Sequence, residues 1–129
     1  MQYDESLLTD WSRFCEWEKY LNDDDFKYLM DFVNNIENGN KNDKILLLCG
    51  SGRNGKSFMM EQMKNHFANN IVTIDEHKID AISGEEFNRW NGLLGHGKTS
   101  FIAGVNTTYN IEDSLMSNCH LINMKHKFT

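Results

Sequence analysis

At 129 residues, with a formal charge of −6 and a pI near 5.3, the chain has the size of one ordinary domain and an acidic surface that repels nucleic-acid phosphates outside any local basic patch. Hydrophobic residues at 40% and charged residues at 25% argue against both a disordered chain and a membrane protein, and no apolar run approaches the ~20 residues that span a bilayer. The three cysteines Cys15, Cys49 and Cys119 cannot all pair within one chain, and Met1-Gln2-Tyr3-Asp4 opens no secretory pattern, so an intracellular, reducing compartment is expected.

In chain order, Asp10 to Leu21 places Trp11, Phe14, Cys15, Trp17 and Leu21 on one apolar stripe with Thr9 or Asp10 as N-cap, which predicts a helix. A second helix begins at Asp23-Asp24-Asp25, whose carboxylates suit a helix N-terminus. It carries Phe26, Leu29, Met30, Val33 and Ile36 inward and stops at Asn38-Gly39. The turn-rich segment 38–43 then leads to Lys44–Cys49, a continuous apolar run of the kind found in buried parallel strands.

After the glycine-rich stretch Gly50 to Gly55, residues Lys56 to Asn69 read as a helix with Phe58, Met59, Met63 and Phe67 facing inward. Ile71–Ile74 is a second strand ending on Asp75-Glu76. Ser83 and Glu86 form a capping box for a helix through Phe87 and Trp90 towards Leu94. Beyond the loop Gly95 to Gly97, Thr99–Val105 is a third strand ending at Asn106, Ile111–Met116 a helical turn, and Cys119–Met124 a fourth strand. The predicted class is α/β: a P-loop NTPase-like, mostly parallel sheet of about four strands with flanking helices. A two-helix N-terminal cap over residues 1–42 precedes the core at 43–129, the whole forming one compact unit.

Gly50-Ser51-Gly52-Arg53-Asn54-Gly55-Lys56-Ser57 fits the pattern G-x-x-x-x-G-K-[ST]. Its glycines let the backbone take positive φ and approach a phosphate without a Cβ in the way, so successive N–H groups converge on an anion. Lys56 adds a cation for the β and γ phosphates, Ser57 a hydroxyl for Mg²⁺, and the following helix its N-terminal dipole; ATP with Mg²⁺ is the expected ligand. Gly92 to Thr99 fits the same pattern, but it follows a helix and leads into a strand, the reverse of the context that phosphate binding requires. Asp75 is expected to hold the metal through water and Glu76 to polarise the attacking water. Asn106 is expected to hydrogen-bond the γ-phosphate or that water. Cys119, His120 and His126 lie close in sequence, but neighbours on a strand point to opposite faces, so no metal site is read there.

Leu48 to Ser57, with Asn54 before Gly55-Lys56-Ser57, resembles the phosphate loop of viral superfamily 3 helicases, especially the poxvirus-type and phage helicase-primase ATPases. Asp75-Glu76, the Gly95 to Lys98 loop, and Phe101 to Asn106 resemble that family's acidic pair, its lysine- and glycine-containing segment and its sensor strand, in the same order. The resemblance implies an ATPase of viral or mobile-element DNA replication, in the host cytoplasm or at a viral replication site. It further implies ATP bound between subunits of a homo-oligomeric ring or larger replication assembly, and single-stranded DNA touched by the Gly95 to Lys98 loop. The abundance of Asn, Lys and Ile and the absence of Pro agree with the AT-rich coding of such genomes.

Two departures modify these expectations. The interval from Lys56 to Asp75 is shorter than the family's, which implies a lost strand. No arginine follows Arg89, whereas family members carry one after the sensor that reaches the neighbour's γ-phosphate. An arginine finger is worth on the order of 10³ to 10⁵ in rate, so slow hydrolysis is expected. A non-catalytic or weakly hydrolysing ATP-binding adaptor is the alternative; a small-molecule kinase, with only Arg13, Arg53 and Arg89 to clamp phosphates, ranks below both.

Overall fold

A computed structural model describes residues 14–51, 55–94 and 99–126. The apolar run after the linker forms β1 (Ile45–Cys49), and three further strands, β2 (Ile71–Ile74), β3 (Ser100–Val105) and β4 (Cys119–Asn123), complete one sheet in the order β2-β3-β1-β4. Every pairing is parallel: Leu46 lies opposite Ile102, Leu48 opposite Gly104, and Ile45 opposite Cys119. β1 is flanked on both sides, and Ile45 to Leu48 are each fully buried. An unbroken apolar run rather than an alternating one is what a strand covered on both faces requires.

Helices cover the two faces. Leu46, Leu48, Ile102 and Ile122 face one core, which Leu29, Phe32, Val33 and Ile36 of α1 (Asp23–Glu37) and Met59 and Met63 of α2 (Lys56–His66) complete. Ile45, Leu47, Phe101 and Ala103 face the other, with Ile79 of α3 (Glu76–Ile79), Phe87 of α4 (Gly84–Leu94) and Leu115 of α5 (Asp113–Met116). The result is the α/β layer arrangement expected from the sequence, with α2 leading directly into β2. α2 crosses from β1 to β2 on one face, while α3 and α4 return to β3 on the other. Opposite directions on opposite faces give both crossovers one hand, as parallel sheets demand.

The N-terminal segment departs from expectation. A 3-10 helix, Phe14–Lys19, stands where a longer α-helix from Asp10 was predicted; the earlier part of that prediction lies outside the described residues. Phe14 and Trp17 are both buried, and a repeat of three residues per turn stacks such an i,i+3 pair on one line. Trp17 donates its indole N–H to Gln62 Oε1 of α2 at 2.8 Å, a buried bond that fixes the segment against the sheet's own helix. α2 itself ends at His66 rather than Asn69, because Phe67 leaves helical geometry (φ −115°, ψ 36°) and turns its ring into the core.

The linker before β1 is pinned. Gly39 takes φ 77° past the end of α1, and buried Asn42 donates to the Phe32 carbonyl (3.0 Å) and to Ser100 Oγ (3.1 Å) while accepting from Asn35 Nδ2 (2.9 Å). These bonds fix the C-terminal end of α1 beside the N-terminal ends of β1 and β3. The N-terminal half of α1 lies against the start of β4, where Tyr28 stacks on His120 and Asp25 comes within 4.0 Å of its imidazole. Among the described residues no helix is long and apolar enough to cross a membrane.

Candidate functional site

The strand ends gather the polar residues. β1 sends its chain to α2 on one face and β3 sends its chain to α5 on the other, so the two loops diverge and open a crevice between the ends of these neighbouring strands. Ligands of open parallel sheets bind in such crevices. Gly50 N–H donates to the Val105 carbonyl at 3.0 Å, which holds the first loop residue against β3. Gly52, Arg53 and Asn54 lie outside the described residues. The chain is again described at Gly55, which takes φ 83° and forms the N-cap of α2. Only glycine adopts that angle without strain, and it brings no side-chain oxygen to compete for the amides of the first turn.

Lys56 opens α2 and reaches back over the crevice. Its Nζ donates to the Gly50 carbonyl at 2.6 Å and to Asn106 Oδ1 at 3.0 Å. The stem passes Gly104 of β3, where an added Cβ would lie 3.6 Å from Lys56 Cδ, 3.8 Å from Cε and 2.8 Å from Met60 Sδ. A glycine inside an otherwise apolar strand marks a close approach, and this sequence signal is the one the reading of the strand passed over.

Asn106 joins the ends of three strands. Its side chain accepts from Lys56, and its backbone N–H donates to Glu76 Oε2 at 2.8 Å. Glu76 is the first residue of α3, a helix not expected from the sequence, in which the acidic pair reads as the end of β2. Asp75 is the N-cap of that helix, its Oδ1 accepting from His77 N at 3.3 Å, and is exposed. Ser51 and Ser57 are exposed, Ser57 on the first turn of α2. The structure thus brings Gly50, Lys56, Glu76 and Asn106 together through direct bonds and leaves Asp75 and Ser57 on the surrounding rim.

Cys49 closes the floor, with Sγ 3.7 Å from the Asn106 carbonyl oxygen. Burial raises its thiol pKa above the ordinary value; Lys56 pulls it down and Glu76 pushes it further up. The balance favours the protonated thiol. Lys56 Nζ is held by two neutral oxygens at the mouth of the crevice.

The second match to the phosphate-loop pattern, Gly92 to Thr99, begins within α4 and ends one residue before β3. Helix before and strand after is the order in which the sequence reading set it aside. Residues 95–98, including the loop expected to meet DNA, lie outside the described residues. No protein-family model matches the chain, and no curated protein matches it.

Proposed function

We propose that the chain binds a nucleoside triphosphate with Mg²⁺ along Gly50 to Ser57 and works as a reduced NTPase of the superfamily 3 helicase kind in viral or mobile-element DNA replication. The observation that carries the reading is Lys56: a half-buried ammonium balanced, among the described residues, by two carbonyl dipoles rather than a carboxylate, beside a left-handed glycine N-cap, at the divergence of two loops. A polyphosphate supplies the missing negative charge, and its oxygens replace the Gly50 and Asn106 acceptors.

The donor set fits a metal-bound triphosphate, with Ser57 and Asp75 on the rim to hold Mg²⁺ directly or through water. The metal would neutralise charge on the terminal phosphate oxygens. Asn106, one strand from Gly50, would answer the terminal phosphate when Lys56 leaves it. Glu76, the expected base, already gives one carboxylate oxygen to the Asn106 backbone. That bond and the absence of any arginine beyond Arg89 favour a second reading, a binding adaptor with weak or no hydrolysis.

Calorimetry with Mg-ATP tests the shared claim. Native protein takes up the nucleotide, and Lys56→Ala weakens uptake by at least about tenfold, since a charged hydrogen bond contributes ~1.5–3 kcal/mol. No uptake, or uptake indifferent to Lys56→Ala, overturns it. Turnover stimulated by single-stranded DNA then selects the helicase-type reading over the adaptor, and sedimentation with a non-hydrolysable analogue reports whether a ring forms.

A further inference from the structure

The reading of Gly50 to Ser57 as a phosphate loop also fixes a direction for the ligand. Asn106 and Glu76, the groups placed to meet a terminal phosphate, stand on the β3 and β2 side of Gly50. A triphosphate laid with its terminal group there must send its nucleoside the other way, across β1 towards β4. The chain leaving β4 stays fastened to that spot: Met124 N–H donates to the Cys49 carbonyl at 2.8 Å, immediately before the phosphate loop. Two strand spacings, about 10 Å, separate this segment from the Asn106 side of the crevice.

Two residues beyond Met124, the exposed His126 ring meets Tyr20, with ring centroids 4.6 Å apart and planes tilted by 41°. Tyr20 is half-buried and stands edge-on to Trp17 at 5.9 Å, and Trp17 is tied by its indole N–H to Gln62 of the phosphate-loop helix α2. The contact with His126 places Tyr20 beside the chain that leaves β4. An aromatic pair braced against α2 therefore stands on the β4 side of β1, opposite the terminal-phosphate groups.

We propose that His126, backed by Tyr20, is the face on which the nucleobase of the bound triphosphate stacks. Every base has a π-face, so the site accepts several bases and holds the larger purines more tightly than pyrimidines.

The test compares ATP with inorganic tripolyphosphate, each with Mg²⁺, by calorimetry on the full chain. Native protein binds ATP more tightly than tripolyphosphate. His126→Ala, at an exposed position, weakens ATP about tenfold and leaves tripolyphosphate unchanged, while His126→Phe restores ATP binding. Equal affinity of native protein for the two ligands, an ATP affinity indifferent to His126→Ala, or a His126→Phe variant no better than His126→Ala overturns the base-stacking assignment while leaving the phosphate loop standing. Failure of native protein to bind either ligand overturns the phosphate-loop reading and this inference with it.

Discussion

Gly104 offers a graded perturbation of the site that leaves every polar group in place. An alanine there sets Cβ 2.8 Å from Met60 Sδ and at ordinary contact distances, 3.6 and 3.8 Å, from the Lys56 stem. The thioether is the flexible end of a half-buried side chain and moves aside, while removing a strand glycine lowers the entropy of the unfolded chain by ~0.4–1 kcal/mol. Gly104→Ala is therefore expected to melt within a few degrees of the native protein and to bind Mg-ATP within about threefold of it. Valine differs: its branches extend about 1.5 Å beyond Cβ, into the space that the Lys56 stem occupies. The ammonium is displaced from the position at which it would meet a phosphate, a loss of one charged hydrogen bond of ~1.5–3 kcal/mol, or at least about tenfold in affinity for an anion that depends on it. Thermal melting and calorimetry on the two variants give the check, with far-UV circular dichroism confirming that both fold. A folded Gly104→Val protein that binds Mg-ATP like the native one refutes the account of how Lys56 is positioned.

Asn42→Ala removes bonds to the Phe32 carbonyl and to Ser100 at a buried position, and is expected to lower stability by about 2 kcal/mol, seen as a lower denaturant midpoint at unchanged m-value. His120 lies flat on Tyr28 with centroids 3.6 Å apart, 4.0 Å from the Asp25 carboxylate and within the field of Lys44. Burial lowers its pKa, Asp25 opposes that and Lys44 adds to it, with a net downward shift. The stability it contributes is therefore complete above the unfolded value of about 6.5 and is lost as pH falls through the lower folded value. Melting temperature should drop on acidification through that window, and His120→Phe, which keeps the stack without the titration, should flatten the drop. Burial pushes the Cys119 thiol up to about 11, so only ~0.1% is thiolate at pH 8. Mass spectrometry after iodoacetamide should find exposed Cys15 alkylated first and Cys119 modified only on unfolding.

Much of this architecture was legible because its signals are local. Ile71–Ile74 was placed at its observed bounds, and the Ser83–Glu86 capping box appears with Glu86 N–H donating to Ser83 Oγ at 3.1 Å. β1, β3 and β4 each differ by only one residue at one end, the ordinary uncertainty of element boundaries. What escaped depends on partners distant in sequence. Nothing near Phe14 announces a 3-10 turn, because its form follows from docking Phe14 and Trp17 on a core built by residues further along. Asn42 reads as one more turn residue until Ser100, 58 positions away, is known to lie against it. The same holds at the site: Lys56, Glu76 and Asn106 were each nominated singly, whereas the bonds that join them require the strand order, which places β3 between β1 and β2.

That order also explains why one pattern occurring twice carries weight only once. A phosphate cradle needs amide hydrogens that converge, and convergence comes from a chain leaving a buried strand, turning through positive φ and entering a helix whose first amides have no partners within the helix. Gly50 to Ser57 has this arrangement at both described ends: Gly50 is fastened to β3, and Gly55 at φ 83° opens α2. At Gly92 to Thr99 the helix comes first, so the groups arriving at the loop are the last carbonyls of α4, whose dipole end repels an anion. The pattern is the same in the two segments, and the polarity of the backbone around them is opposite. Exchanging Lys98 for alanine should therefore leave Mg-ATP uptake within about twofold of native, and an effect as large as that of Lys56→Ala would show that backbone polarity is the wrong criterion for telling the two segments apart.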